Sequence, residues 1–451
     1  MSTLSHQQAL DFLNSLINYE QTPARPGDKS SFNLERVELL LHYMGNPHLK
    51  FKAVHVAGTK GKGSTAAMVA SILEIAGYKV GLYTSPHLIC HRERIKINNQ
   101  MIPEEEFAYY IHQIKTIIEK HFSPPGPLSP TFFEVYTAAA FAHFSSSHID
   151  IAVVEVGLGG RLDATNVLRH PLVAIVTPIS LDHVKQLGND IASIAREKAC
   201  IIKHKCHVVI ASQQEAALRI LEMKCQEQMA SYRIIGQHVT YKVRAANPFS
   251  QTFDINGLSR KYENLTLSLP GKHQLSNATA AVAAVDFLNS SSLSVGLQAI
   301  QRGLTEIVWP ARLQFIDKEP LIVVDCAHNN ASAKCLAEYL LEFHNCLPIV
   351  LVLSMLGDKD VEGIAAELCP LAKDVVITRI TSSRALSTDD IYGRIGMYCR
   401  KEPAREPDVT KALESATKRA GPKGLVCVAG SVYLAGEILA RYKACSSEPL
   451  R

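Results

Sequence analysis

Val54-His55-Val56-Ala57-Gly58-Thr59-Lys60-Gly61-Lys62-Gly63-Ser64-Thr65 is the stretch that decides the fold of this chain. The apolar run from Phe51 to Ala57 predicts a short buried strand, and Ala66 to Glu74 predicts a helix. A glycine-rich turn joins them. Backbone N–H groups left unpaired at a helix start point outward and the helix dipole favours negative charge, so strand, turn and helix make an anion site. Lys62 adds a positive charge where phosphate oxygens would sit, and Ser64 or Thr65 offers a hydroxyl to a bound Mg²⁺. The common phosphate-loop pattern has a glycine where Val56 stands and a hydroxyl residue where Gly63 stands. The flanking strand and helix still supply the context of a nucleotide site.

A chain of 451 residues exceeds one ordinary core, so two or three domains are expected. Apolar content of 47% with 20% charged residues describes a soluble globular protein. The net charge of +4, scattered along the chain, argues against nucleic acid and suits an enzyme of anionic small molecules. Eleven cysteines without a Cys-x-x-Cys pair fit reduced thiols in the cytoplasm, where the protein is expected as a monomer. The N-terminus lacks a basic segment followed by an apolar one, so no secretory signal is expected. No apolar run approaches the ~18 residues of a membrane span.

Apolar spacing predicts helices over 5–18 and from Leu34 to Met44, with a loop at Pro23, Pro26 and Gly27 between them. Tyr78 to Tyr83 predicts a second strand, emptying into Thr84-Ser85-Pro86-His87-Leu88; Ser85-Pro86 by itself reads as a turn. Arg92, Arg94 and Lys96 alternate with Glu93, Ile95 and Ile97, the pattern of a strand with a solvated face. His87, Cys90 and His91 have no partner cluster at metal-ligand spacing. A proline-rich loop, Ser123 to Pro130, precedes Thr131-Phe132-Phe133-Glu134 and a helix to Phe144, with Thr131 and Glu134 spaced as a capping box.

Asp150 to Val156 predicts a buried strand that delivers Glu155 into Gly157-Leu158-Gly159-Gly160-Arg161-Leu162-Asp163-Ala164-Thr165-Asn166. A carboxylate at the C-terminal edge of such a sheet lies where α/β proteins bind ligands, and its oxygens suit Mg²⁺. The strand Leu172 to Thr177 leads to Ser180-Leu181-Asp182-His183, a loop pair or cap on chemistry alone. Lys198, on a helix from Asp190 to Ile202, is by itself an ordinary helix lysine. Cys200, His204, Cys206 and His207 match no zinc spacing. Residues 230–269 suggest a β-rich excursion, and Pro270 to Ala278 opens a further helix bearing Asn277. Trp309-Pro310-Ala311-Arg312-Leu313 marks a linker between domains 1–306 and 307–451. Strands at 321–326, 349–354, 374–378 and 424–429 then predict a second, Rossmann-like α/β sheet.

Gly58-Thr59-Lys60-Gly61-Lys62-Gly63-Ser64 resembles the phosphate loop of the folate branch of the Mur ligase superfamily, and the string from Gly157 to Asn166 is similar to one specific to that branch. The resemblance runs in order along nearly the whole chain. It implies a P-loop Mur-ligase-type ATPase domain followed by a smaller Rossmann-like domain, with the active site in the cleft between. It implies that Gly58, Thr59, Lys60, Gly61, Lys62, Gly63, Ser64, Asn277, Arg312 and Asp325 bind ATP. Ser85, Glu155 and His183 are the implied Mg²⁺ ligands, with K⁺ a second candidate ion. Thr131, Phe132, Phe133, Glu134, Arg161, Leu162 and Asp163 would line the pteroate, the two aromatics stacking on the pterin. Lys198 would be carbamylated beside the metal, and Lys62, Lys198, His183 and His328 are the implied catalytic groups. Asn330 stands where the family has proline after Asp325-Cys326-Ala327-His328-Asn329.

The implied reaction is ATP-dependent amide formation. A carboxylate attacks the γ-phosphorus to give an acyl phosphate and ADP, and the amine of L-glutamate displaces phosphate. Lys60 is similar to eukaryotic folylpolyglutamate synthases, whereas Thr131 to Glu134 resembles bacterial bifunctional enzymes that also accept dihydropteroate. Dihydropteroate and reduced folates are therefore both expected as substrates. The alternatives are a folylpolyglutamate synthase only, a Mur-type cell-wall amino-acid ligase, and a non-catalytic ATP-binding switch.

Overall fold

The computed structural model describes residues 4–20, 32–122, 126, 128–291 and 293–445. The loop expected at Pro23, Pro26 and Gly27, and residues 123–125 and 127 of the proline-rich loop, lie outside the described residues. Strand β1 (Lys52–Ala57) is buried along all but its first residue, as an uninterrupted apolar run requires. It is joined in one sheet by β2 (Val80–Tyr83), β3 (Ile95–Ile97), β4 (Gln100–Met101), β5 (Ile151–Glu155), β6 (Val173–Val176), β7 (His207–Ile210) and β8 (Ser231–Ile234). The order is β4-β3-β2-β5-β1-β6-β7-β8. The strands from β2 to β8 in that order run parallel, and β3 and β4 turn back antiparallel.

The first domain also holds α1 (His6–Ser15), α2 (Leu34–Tyr43), α3 (Lys62–Ile75), α4 (Glu104–His121), α5 (Phe132–Ser146), α6 (Val184–Leu187), α7 (Ile191–Ala199), α8 (Glu215–Glu227), α9 (Lys272–Ser291) and α10 (Leu297–Thr305). Alternation along the strands assigns them to faces. Val54, Val56, Ile151 and Val153 pack with α3, α9 and α10, while Ala53, Ala152 and Val154 pack with α1, α2, α4 and α5. A separate antiparallel sheet, β9 (Thr240–Ala246), β10 (Gln251–Asn256) and β11 (Tyr262–Leu267), completes the first core. The β-rich excursion thus divides: 231–234 is the edge strand of the main sheet, and only the remainder forms its own.

The alternating run at 92–97 is corrected. His91–Arg94 forms a turn of 3₁₀ helix and β3 begins at Ile95, so Arg94 is 1% exposed instead of lying on a wet strand face. It makes two hydrogen bonds to the carboxylate of Glu20, at 2.6 and 2.7 Å, and a third to His87 Nδ1. Glu20 is remote in sequence, so local spacing carried no sign of it. Another buried pair ties α2 to α5: Arg36 Nη2 lies 2.8 Å from Glu134 Oε1. Glu134 Oε2 also accepts from Thr131 N at 2.8 Å, closing the capping box expected from sequence.

Ile307 still belongs to the first core, whereas Ala311 and Leu313 belong to the second. There β12 (Gln314–Lys318), β13 (Leu321–Val324), β14 (Ile349–Leu353), β15 (Asp374–Ile377), β16 (Ala404–Arg405) and β17 (Leu425–Ala429) form a sheet of order β12-β13-β17-β14-β15-β16, parallel except for β12. Helices α11 (Asn330–Phe343), α12 (Val361–Leu368), α13 (Thr388–Ile395), α14 (Val409–Ala420) and α15 (Val432–Cys445) accompany it. No helix among the described residues is long and apolar enough to cross a membrane.

The Arg36–Glu134 pair is expected to matter for stability. Glu134→Leu strands a buried guanidinium without this carboxylate, which costs about 3–5 kcal/mol. Urea unfolding should show that loss, and adding Arg36→Met should restore its larger part. A single variant as stable as the parent would contradict the assignment.

Candidate active site

The phosphate loop leaves β1 at Gly58, whose φ of +148 only glycine adopts readily and where a Cβ would collide with Thr177 Oγ1. Gly61, at φ +78, caps α3, and a Cβ there would strike Asn277 Oδ1. Lys62 is the first residue of the helix, so the free N–H groups of its first turn open beside the lysine charge. The first half of the loop is stitched to the exit of β6. Thr59 N and Lys60 N donate to Pro178 O at 3.0 and 3.3 Å, and Thr59 Oγ1 bonds to Ser180. Asn277 Nδ2 donates to Gln274 Oε1 at 2.9 Å, and Gln274 Nε2 lies 3.4 Å from Ser64 Oγ. Gln274 is 1% exposed and went unnoticed in the sequence, although its place one turn before Asn277 is a readable signal. Thr65 Oγ1 is buried without a hydrogen-bond partner among the described residues.

Glu155, at the end of β5, is 5% exposed and accepts from Ser85 N at 3.1 Å. Burial raises its pKa against the opposing pull of Lys62, the Ser85 N–H and Arg312. Two of the sequence-derived ligands, Ser85 and Glu155, are therefore together. His183, in left-handed backbone at φ 50, lies on the loop after β6 in the field of Lys62 and Lys198. No three His, Cys, Asp or Glu side chains among the described residues converge as a closed metal cage.

Beyond Glu155 the glycine loop turns back on itself. Gly160 lies so close to α7 that a Cβ would stand 2.5 Å from Glu197 O, which brings the loop onto the backbone carrying Lys198. Asp163 pins the loop by accepting from Leu158 N at 2.8 Å and from Thr165 N and Oγ1 at 3.0 and 2.5 Å. Thr165 Oγ1 also lies 2.9 Å from Nε2 of His55, a fully buried residue in the middle of β1. A threonine hydroxyl that donates to Asp163 accepts from His55, which puts the imidazole proton on Nε2. Burial, with Lys203 adding to it, holds His55 down to about 3, so it is neutral. Leu162 is half-buried, and Arg161 reaches outward to Glu197 at 2.9 Å.

The expected aromatic pair divides. Phe132 is 2% exposed beneath the Arg94 guanidinium, 5.5 Å from its ring centroid, and is part of the core. Phe133 is half-buried, and its ring edge would lie 2.5 Å from a Cβ on Gly157. Only Phe133 is both at the glycine loop and partly open. Thr131 and Glu134 are occupied by the helix cap and the Arg36 pair.

Lys198 is 4% exposed. Burial first, then Lys62, lowers it to about 7, against Asp182, Asp163 and Glu197. Lys60 Nζ lies 3.5 Å from Asp182 Oδ2, and burial lowers this amine to about 8 despite the carboxylate. Asp182 is acidified in turn: burial opposes, and Lys60, His183 and Lys359 prevail. From the second domain, Asp325 accepts from Leu313 N at 2.9 Å and Ala327 N at 2.8 Å. Arg312 reaches the same point, in the fields of Cys326, Asp325 and Glu155. His328 Nδ1 lies 2.8 Å from Cys326 O, so it donates there and Nε2 is left as an acceptor. Burial and the charges of Lys60 and Lys359 lower His328 to about 3.

Comparison with known proteins agrees with this architecture. Residues 56–285 match the Mur ligase middle domain, and 311–432 match the Mur ligase glutamate ligase domain. A dihydrofolate synthase/folylpolyglutamate synthase of Bacillus subtilis is 34% identical over 91% of this chain and 95% of its own. One of Escherichia coli is 33% identical over 90% of each. Among solved structures, the Mycobacterium tuberculosis folylpolyglutamate synthase complexed with ADP superposes with a TM-score of 0.88 at 31% identity, covering 99% of both chains. E. coli FolC in complex with DHPP and ADP gives 0.85 at 29% identity, covering 98% of both.

The buried neutral His55 sets a pH dependence. Its folded pKa of about 3 lies below the unfolded ~6.5, so only the unfolded chain takes up its proton in that window. Its contribution is complete above about pH 6.5 and declines by up to ~1.4 kcal/mol per unit as pH falls toward 3. Urea unfolding from pH 7 to about pH 4 should show a shallower decline for His55→Asn than for the parent. Equal slopes would place the acid sensitivity elsewhere.

Proposed function

This chain belongs to the Mur ligase family, in its branch of dihydrofolate and folylpolyglutamate synthases, and we propose that it joins L-glutamate to dihydropteroate and to reduced folates at the expense of ATP. The observation that carries the reading is that Glu155, held by Ser85 N, and the buried amine of Lys198 both lie in the field of Lys62 at the helix start. A structural lysine and carboxylate would have no need to be buried around one phosphate-loop lysine.

The chemical difficulty is bringing a carboxylate up to a polyanion. The first-turn N–H groups of α3 and Lys62 hold the phosphates and offset the charge that develops on transfer. The donor set fits a hard cation: Glu155 is a buried carboxylate whose pKa burial raises, and Thr65 Oγ1 is buried without a hydrogen-bond partner among the described residues. Ser85, Glu155 and a loop hydroxyl would hold Mg²⁺, with His183 the further ligand that the family resemblance implies; bound there the ion would supply charge neutralisation on the phosphoryl oxygens. Lys198 near neutral pH is in part a free amine. Its nitrogen forms a bond to CO₂ with loss of one proton, and Lys62 stabilises the resulting carbamate.

Phe133 offers its face to the pterin beside Gly157. The substrate carboxylate oxygen attacks the γ-phosphorus, the bond to ADP breaks, and the acyl phosphate forms in the cleft. Glutamate nitrogen then attacks the acyl carbon, phosphate leaves, and the nitrogen loses a proton. His328, neutral with a bare Nε2, orients that amine as a hydrogen-bond acceptor. Arg312 and Asp325 hold the nucleotide from the second domain, and closing the cleft excludes the water that would hydrolyse the intermediate.

The decisive assay follows ADP and product with ATP, glutamate and either dihydropteroate or tetrahydrofolate. Both are expected to be glutamylated. Lys62→Ala should lose about 10²-fold in each with its fold intact by circular dichroism. Phe133→Ala should impair dihydropteroate use the more, by roughly 1–3 kcal/mol as for other stacked bases. Extension of tetrahydrofolate without glutamylation of dihydropteroate would reduce the reading to a folylpolyglutamate synthase. Labelled bicarbonate should give a carbamate resonance that is absent from Lys198→Ala, and short carboxylic acids should restore part of that variant's rate. An unmodified amine in active enzyme would remove the carbamate from the scheme.

A further inference from the structure

The sequence holds a single tryptophan, Trp309, and nothing in the reaction above uses it. Its indole lies against the phosphate loop. A Cβ on Gly63 would stand 3.1 Å from Trp309 Cζ2 and 3.3 Å from Glu155 Oε2. Gly63 sits inside α3 without a positive φ, so a side chain there is limited by room, not by conformation. The residue that breaks the common phosphate-loop pattern is thus the one on which an indole and a carboxylate both rest. Lys96 Nζ lies 5.8 Å from the indole centroid. The indole nitrogen, Nε1, is buried and has no hydrogen-bond partner among the described residues. Donors buried in this way nearly always have an acceptor, and no described protein group supplies one.

The residues after Trp309 are fixed to the other domain. Ala311 and Leu313 take φ values of +54 and +50, which L-residues seldom adopt and which persist only where neighbours impose them. Gln314 Oε1 accepts from Ala311 N at 2.9 Å, Ala311 O accepts from Cys326 N at 3.1 Å, and Asp325 accepts from Leu313 N. Arg312 stands between the two left-handed residues. The linker therefore has no slack: one end rests on Gly63 of the phosphate loop and the other is held by the Asp325 turn.

We propose that Trp309 is a positioning residue for the phosphate loop that couples nucleotide occupancy to the domain linker. Nucleotide at the first turn of α3 brings the missing acceptor, a phosphate oxygen or a water bound to it, to Trp309 Nε1. The indole, seated on Gly63, then holds the linker so that Arg312 and Asp325 close on the same nucleotide. An indole that merely filled a gap in the core would not respond to nucleotide at all. The inference rests on the nucleotide reading of the loop, and the experiment separates the two.

Because the tryptophan is alone, its emission reports this contact directly. ADP with magnesium chloride is titrated into the wild-type protein, followed in parallel by fluorescence and by calorimetry. The expected result is a saturable change in emission with the calorimetric midpoint. Trp309→Phe keeps a ring on Gly63 and loses the N–H. It should raise KM for ATP about tenfold, the worth of one hydrogen bond, with KM for the folate substrate and the thermal midpoint unchanged. ADP that binds by calorimetry without altering emission overturns the proposal and leaves the nucleotide site standing, as does a Trp309→Phe enzyme with the parental KM for ATP. Failure of ADP to bind removes the nucleotide reading and this inference together.

Discussion

The register of β1 against its two neighbours is the constraint on which the site depends. Val56 pairs with Glu155 of β5, and Ala57 pairs with Val176 of β6. Three chain exits are thereby brought to one level: the phosphate loop, the glycine loop and the loop that bears Asp182 and His183. A slip of one residue would turn Glu155 to the other face and separate it from Lys62. Parallel pairing on both sides makes such a slip expensive, because Val54, Val56, Ile151 and Val153 would exchange faces with His55 and Ala152 between them. The close approach of Gly58 to Thr177 and the bonds from Thr59 and Lys60 to Pro178 then lock two of the exits together. The catalytic geometry is a consequence of strand pairing before any catalytic side chain is considered.

Within that frame, burial acts on both signs of charge in the same direction. Glu155 and Asp163 are pushed up and Lys198 is pushed down to about 7, each toward its neutral form. The structural ion pairs behave otherwise. Arg36 with Glu134 and Arg94 with Glu20 are matched by direct hydrogen bonds and complete without a ligand. Glu155 and Lys198 make no such ion pair among the described residues, and each lies in the field of Lys62. On the proposed reading, phosphate and a divalent cation stabilise such an arrangement when they bind, so ligand binding and site stability reinforce each other.

The sequence was most legible where chemistry and local structure coincide. The strand, glycine turn and helix at Gly58 to Ser64, the strand that delivers Glu155, and the capping box of Thr131 and Glu134 each follow from spacing within a dozen residues. What stayed hidden was contact at long range. Arg94 reads as a wet residue because its partner Glu20 lies in another element, and the match only forms on folding. His55 sits in an apolar strand with no hint of Thr165, and Phe132 looks equivalent to Phe133 until the helix start fixes which ring turns inward. Period and motif give the direction of a side chain, and the opposing element decides what it does.

That distinction bears on the choice of acceptor substrate, where Lys60 and the aromatic pair pull apart in sequence. Lys60 lies 3.5 Å from Asp182 within the phosphate-loop assembly, and on the proposed reading it meets the nucleotide whichever acceptor is used. It therefore carries no weight in selecting between dihydropteroate and a folate. Phe132 carries none either, since a ring closed beneath a guanidinium cannot receive a second flat partner. On the proposed reading the selection reduces to Phe133, whose ring edge rests on Gly157, because a Cβ at 157 would drive the ring away. In that reading a glycine and an aromatic from separate elements together make the surface, and neither would be recognised as a binding residue without the other.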